Sequence, residues 1–101
     1  MLNLGLRDEY LQKLRAVLQS YPQVERAVVF GSRARGNYRE NSDIDIAVYR
    51  RDNGEDWPAG LRTALDDAAG IYKIDIVDMN TLKNEALRQQ IETGCEIYSR
   101  S

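Results

Sequence analysis

Between Ser42 and Val48, acidic and aliphatic side chains alternate in a pattern typical of a half-buried β-strand. Side chains two residues apart on a strand point to the same face, with their Cα atoms roughly 6.6 Å apart. Asp43 and Asp45 are therefore expected to converge on one pocket. The opposite face of the strand must be covered by a core, because it consists of Ile44, Ile46 and Val48.

A short turn upstream of this strand has the composition of a phosphate-binding loop. The apolar run Val28-Val29-Phe30 stops at Gly31 and Ser32. A chain that passes there from a strand into a helix exposes unpaired backbone N–H groups, which bind phosphate. Ser32 adds a hydroxyl for a phosphate oxygen. This hydroxyl favours phosphate binding over the alternative, a tight turn made by Gly31 and Gly36 without a ligand.

A third carboxylate lies on a later predicted strand. In the run from Ile71 to Val77, aliphatic and polar side chains alternate, so Asp75 falls on the polar side. Asp78 has the other parity and lies near the strand end. Carboxylates brought together raise one another's pKa unless a cation lies between them. A divalent metal held by carboxylates beside a phosphate loop is typical of sites for phosphoryl or nucleotidyl transfer.

Two other interpretations of the paired acids are weaker. Polar residues on a solvent-facing strand give the same alternation, but the phosphate turn and the third acid argue against this explanation. An EF-hand calcium loop that starts at Asp43 would need glycine at its sixth position and glutamate at its twelfth. The chain has Val48 and Gly54 at those positions. The metal-dependent phosphate site is therefore the favoured interpretation.

The composition limits the classes of function. With 101 residues, the chain is expected to form one domain, residues 1–101. The formal net charge of −2 argues against a protein that binds the phosphate backbone of nucleic acids. The absence of histidine excludes Ser-His-Asp and Cys-His catalysis and histidine zinc sites. Because the sequence has neither a signal-peptide pattern nor a membrane-spanning apolar run, we expect a cytoplasmic protein without a membrane partner.

Apolar periodicity and turn residues predict the element order α-β-α-β-α-β-α-β. Because the helix after Ser32 is short, the predicted fold is an α/β (α+β) domain with a small mixed sheet flanked by helices. Pro58 is expected in the first turn of the third helix, and Asn80 at the N-cap of the last helix, which Gly94 ends. The other predicted helices cover residues 7–20, 32–38 and 59–69, the strands cover 24–30, 43–49, 71–77 and 95–98, and a polar loop covers 50–56.

The spacing of these motifs resembles a known family. A glycine-serine pair, ten intervening residues, an Asp-x-Asp pair and an aspartate thirty residues later are similar to the pattern of the polymerase-beta-like nucleotidyltransferase superfamily. Within it, a chain of this length resembles the minimal nucleotidyltransferases of the MNT type. The resemblance carries the phosphate-binding pair to Gly31 and Ser32, the metal-bridging carboxylates to Asp43 and Asp45, and the third carboxylate to Asp75.

The resemblance also implies a substrate, a cofactor and a partner. MNT proteins often act as antitoxins beside an all-helical HEPN protein, some by transferring AMP from ATP to a tyrosine of that partner. We therefore expect a nucleoside triphosphate substrate, two Mg²⁺ ions for which Mn²⁺ can substitute, and a HEPN-type partner, without a nucleic acid template. Asp43 and Asp45 are expected to bind both ions, and Asp75 to ligate the one that activates the acceptor hydroxyl.

Two alternatives from other functional classes stay open. One is a catalytically idle antitoxin that neutralises a helical partner by binding alone. The other is a nucleotidyltransferase that acts on a small molecule, for which so short a chain would need a homo-oligomer to build the acceptor pocket. The sequence determines neither the base of the nucleotide nor the acceptor. Side chains near the predicted site without an assigned role are Arg33, Arg35, Arg39, Trp57 and Lys73.

Overall fold

Four strands form one mixed sheet in the order β3-β2-β1-β4. The computed structural model describes residues 4–39, 42–51 and 56–100. β1 is antiparallel to both β2 and β4, whereas β2 and β3 are parallel. The predicted mixed sheet and the predicted order of helices and strands are confirmed. The strands are β1 at Val24–Phe30, β2 at Ile44–Arg50, β3 at Ile74–Asp78 and β4 at Cys95–Ser99.

Four helices accompany the sheet. The first and third pack against each other on one face, and the fourth packs against β1 on the other face. Across the part of the chain that the structure describes, every helix is too short or too polar to span a membrane. The helices are α1 at Asp8–Ser20, α2 at Ser32–Arg35, α3 at Leu61–Ala69 and α4 at Glu85–Glu92.

The two faces of the sheet carry separate cores. Beneath α1 and α3 lies the larger core, in which Ile44, Ile46 and Val48 are fully buried. Burying each of these side chains stabilises the fold by about 1.5–3 kcal/mol, so the apolar face predicted for this strand fixes its orientation. The smaller core, beneath α4, consists of Val28, Phe30, Ala47, Met79 and Ile91.

The smaller core does not extend to the N-terminal ends of β2 and β3. Ala47 and Val77 face α4 in register with each other. Two positions earlier on each strand are Asp45 and Asp75, which share that face because side chains alternate along a strand. Asp45 is half-buried and Asp75 is exposed. The acidic positions therefore lie beyond the apolar cover of α4, at the N-terminal ends of β2 and β3.

Two predicted boundaries are wrong because of glycines with positive φ. α3 begins at Leu61, two residues later than predicted, because Gly60 is left-handed with φ +83°. Pro58 therefore precedes the helix instead of lying in its first turn. After α3, Gly70 has φ +62° and turns the chain. As a result, β3 begins at Ile74 instead of residue 71.

The expected role of Asn80 is also wrong. Its side-chain oxygen accepts the N–H of Arg50 at 2.9 Å, and its amide donates to the Arg50 carbonyl at 3.0 Å. α4 begins later, at Glu85, where the Asn84 side chain accepts the N–H of Leu87 at 3.1 Å. Arg50 itself ends β2 and does not open the polar loop, of which residues 52–55 lie outside the described residues.

The Asn84 cap yields a test of the revised helix boundary. We expect Asn84→Ala to lower the free energy of unfolding by about 1 kcal/mol, because one N–H of the first turn loses its partner. The neighbouring exposed substitution Lys83→Ala should stay within about 0.5 kcal/mol of wild type. Urea denaturation of both variants measures the difference, and an Asn84→Ala variant as stable as Lys83→Ala would refute the cap.

Candidate active site

The register of β2 and β3 brings acidic side chains together. Asp45 lies directly opposite Asp75, and Ile44 lies opposite Ile74. Asp43 precedes β2 by one residue, and its charge acts on Asp45. The structure thus brings Asp43, Asp45 and Asp75, the three predicted carboxylates, to one edge of the sheet; their chemical role stays a prediction at this point.

The charge of Asp45 is affected by its acidic neighbours. The pKa of Asp45 lies above its usual value of 3.8, mainly because burial disfavours its charge, and further because Asp75 and Asp43 repel it. The positive charge of Arg35 opposes this rise. An ionised Asp45 is therefore destabilised in the folded protein, and a nearby cation would relieve this cost.

The predicted phosphate turn lies directly against Asp45. Phe30, the last residue of β1, pairs with Asp45, and Gly31 follows it with φ +77°. A Cβ atom at Gly31 would collide with the carboxylate of Asp45. Both the backbone angle and the available space therefore require glycine. The turn and the acids form one continuous surface at this corner of the sheet.

The helix after the turn is shorter than predicted. α2 is a single turn because Gly36 ends it in the left-handed conformation, with φ +84°, before residue 38 is reached. No side chain caps its start at Gly31. The backbone N–H groups of this first turn are therefore not occupied by a capping side chain.

Arg33 holds the turn to the acidic strand. It is 1% exposed, and its guanidinium donates to the carbonyls of Ser42 at 2.8 Å and Leu4 at 2.9 Å. The rings of Tyr38 and Tyr72 lie 5.3 and 5.0 Å from it. Arg33 is thus buried, and its guanidinium is engaged in contacts within the chain. Its sequence context does not distinguish it from Arg35 and Arg39, which are both exposed.

Asp78 belongs to a separate structural cluster on the other face. Arg50 donates to its two carboxylate oxygens at 3.0 and 2.8 Å, and the side chains are 7% and 20% exposed. The N–H of Asn80 adds a bond at 3.1 Å. Trp57 is half-buried against the larger core, with the Arg50 guanidinium 5.9 Å from its ring. The parity that separates Asp78 from Asp75 in the sequence is confirmed.

The donor chemistry of the acidic edge fits a hard divalent cation. Carboxylate oxygens are the ligands that Mg²⁺ and Mn²⁺ prefer. Within residues 4–39, 42–51 and 56–100, no three acidic, histidine or cysteine side chains converge closely enough to enclose an ion. Mg²⁺ is usually held by one or two carboxylates together with substrate phosphates, so an incomplete protein cage is compatible with it.

A family model and several known proteins match most of this chain. Residues 12–101 match the family described as Polymerase beta, Nucleotidyltransferase. A relative from Methanocaldococcus jannaschii, provisionally named a protein adenylyltransferase, is 33% identical over 85 residues, which cover 83% of this chain and 86% of the relative. The protein adenylyltransferase MntA of Shewanella oneidensis is 27% identical over 90 residues, which cover 84% of this chain and 61% of MntA.

A solved structure shares the fold. It is a toxin-antitoxin crystal structure with AMP-PNP, with a TM-score of 0.71 and 27% identity. The similarity covers 90% of this chain and 74% of that chain. The fold of this chain is therefore also found in a toxin-antitoxin structure that was crystallised with a nucleotide analogue.

The raised pKa of Asp45 predicts how stability depends on pH. At a pH well below 3.8, Asp45 is protonated in both the folded and the unfolded chain and does not lower the free energy of unfolding. As the pH rises past this value, the unfolded chain releases the proton more readily, so ionisation destabilises the fold. We expect Asp45→Asn, which removes the ionisation, to be more stable than wild type at neutral pH, with the advantage vanishing in acid.

The measurement is urea denaturation of both proteins across the acid and neutral range, without divalent metal. A stability difference that is independent of pH, or a variant less stable than wild type at neutral pH, would contradict the electrostatic account of Asp45.

Proposed function

As the chain belongs to the polymerase beta nucleotidyltransferase family, it is a nucleotidyltransferase, and we propose that it transfers AMP from ATP to a hydroxyl of a partner protein. One observation carries this proposal: Asp45 faces Asp75 across β2 and β3, with the turn at Gly31 packed against the Asp45 carboxylate. The phosphate-binding turn and the carboxylates are then close enough to act on one bound triphosphate.

The phosphate end of the site is the start of α2. Gly31 and Ser32 hold the β- and γ-phosphates through backbone N–H groups and the Ser32 hydroxyl. Support comes from the glycine at this helix start, because Gly31 has no side chain of its own to occupy the N–H groups. Arg35 is exposed, and its charge reaches Asp45, so it adds positive potential beside the phosphates.

The acidic end of the site binds metal in this proposal. Asp43 and Asp45 would hold two Mg²⁺ ions, or Mn²⁺ in their place, and Asp75 would share one of them. Bound ions of this kind neutralise the charge that develops on the transferred phosphate. The elevated pKa of Asp45 supports the assignment, because a cation offsets the burial and repulsion that raise it.

The chemistry is an in-line displacement at the α-phosphorus. The acceptor oxygen forms a bond to phosphorus, the bond to the oxygen shared with the β-phosphate breaks, and pyrophosphate leaves. Asp75 takes the proton of the acceptor hydroxyl. It suits this role because it is exposed on β3, the edge strand of the sheet, where an acceptor can approach it.

The proposed acceptor lies on an all-helical HEPN-type toxin, with this chain as its antitoxin. Support comes from the toxin-antitoxin structure with AMP-PNP and from the similarity to the adenylyltransferase MntA. The test combines the chain with its helical partner, labelled ATP and Mg²⁺. AMP on the partner together with released pyrophosphate is the expected result, whereas toxin neutralisation without AMP transfer would identify an idle antitoxin.

Asp75 and Asp78 provide a matched pair of substitutions. Asp75→Asn is expected to keep the fold and nucleotide binding but to lower AMP transfer by about 10²- to 10⁴-fold, because the acceptor loses its base. Asp78→Asn is expected to keep transfer but to lower the free energy of unfolding by about 1–3 kcal/mol, because Arg50 loses its charged partner. Transfer assays and urea denaturation of both variants check the prediction, and exchanged phenotypes would refute it.

A further inference from the structure

A groove of about 710 Å³ opens beside Asp43 at the N-terminal ends of β2 and β3. Lys73 and Arg7 contribute its charged rim, and Ile71 and Tyr72 contribute an apolar wall. The Ile44 N–H donates to the Lys73 carbonyl at 2.8 Å, which extends the β2–β3 pairing and holds Lys73 next to Asp43. The groove therefore ends at the acidic edge of the site.

The part of the groove formed by Ile71 and Lys73 lies across the acidic edge from the phosphate turn, whereas Tyr38 and Ser42, which follow α2 in the chain, also line the groove. β2 lies between β1 and β3 in the sheet. Gly31 follows β1, whereas Ile71 and Lys73 precede β3, and neither Gly31 nor Ser32 lines the groove. In an in-line displacement, the attacking and leaving oxygens lie on opposite sides of the phosphorus. If pyrophosphate leaves toward Gly31, the acceptor hydroxyl must arrive from the side of the groove.

The rim of the groove carries accessible positive charges beside an exposed aliphatic side chain. Lys73 is exposed and forms no ion pair with any residue in the described ranges. The Arg7 side chain is 75% exposed and its guanidinium lies 3.8 Å from the carboxylate of Glu9, which is 58% exposed, so this ion pair contributes little. Ile71 is 81% exposed beside them. Two available cations next to an uncovered aliphatic side chain complement an acidic segment that carries an apolar or aromatic residue.

We propose that this groove receives the acceptor segment of the partner protein, and that the segment is acidic on both sides of its hydroxyl-bearing residue. Lys73 and Arg7 pair with the flanking carboxylates, and Ile71 and Tyr72 pack against the acceptor side chain. The inference rests on the proposed function, because it uses the direction in which pyrophosphate leaves. The inference also specifies which hydroxyl is modified, namely one that acidic residues flank on both sides.

Two fluorescent peptides with a central tyrosine test the proposal. One has glutamate and aspartate on both sides of the tyrosine, and the other has glutamine and asparagine at the same positions. We expect the acidic peptide to bind about tenfold more tightly, since two accessible ion pairs of ordinary strength give about that ratio. Fluorescence anisotropy measures the binding, and AMP incorporation in the presence of ATP and Mg²⁺ measures the transfer.

Charge reversal locates the effect. The double variant Arg7→Glu with Lys73→Glu should lose the preference for the acidic peptide while retaining nucleotide binding. The control, Arg62→Glu with Lys83→Glu, makes the same change in net charge at two exposed positions outside the groove and should retain the preference. Circular dichroism confirms that both proteins are folded.

The outcomes separate the groove from the function. Equal affinity for both peptides, or equal loss in the two double variants, overturns the groove assignment even if AMP is transferred. Preferential binding of the acidic peptide that depends on Arg7 and Lys73, without AMP transfer to any peptide or to the helical partner, would refute the proposed activity and overturn the role of the groove as an acceptor site, leaving it a binding surface for acidic segments.

Discussion

The parallel pairing of β2 with β3 is the constraint on which the rest of the site depends. It places Asp45 opposite Asp75 and, by the same register, buries Ile44, Ile46 and Ile74 in the larger core. A slip of one residue would move the aliphatic side chains to the other face and bring the acids into the core. The hydrophobic free energy of that core therefore holds together carboxylates that repel each other.

The turn that precedes the acids is held by two further contacts. Gly31 packs against the Asp45 carboxylate, and Arg33 ties α2 to the carbonyls of Ser42 and Leu4. A buried guanidinium with carbonyl and aromatic partners gives the turn one fixed position relative to the start of β2. Asp45 meanwhile sits where burial and its acidic neighbours raise its pKa. The site thus combines a carboxyl group of raised pKa, that of Asp45, with a turn fixed by packing. Perturbed pKa values of this kind are typical of functional sites.

Much of this arrangement could be predicted from the sequence because it follows from local periodicity. The alternation around Asp45 and Asp75 determines which side chains share a face, and the structure agrees with it. Contacts between distant residues could not be predicted in this way. Asn80 resembles a helix cap, but Arg50, thirty positions earlier, takes its hydrogen bonds. Arg33 is buried between elements that meet only in the folded chain, so nothing in its neighbourhood distinguished it from Arg35.

The proposed function requires the acidic edge and the phosphate turn together to bind a divalent metal with a nucleoside triphosphate. Thermal unfolding with Mg²⁺, with ATP, and with both tests it most directly, because a ligand that binds only the folded state raises the melting temperature. We expect a clear increase in melting temperature for wild type with both ligands together, and none for the variant carrying Asp43→Asn and Asp45→Asn. Equal increases in the two proteins would contradict it.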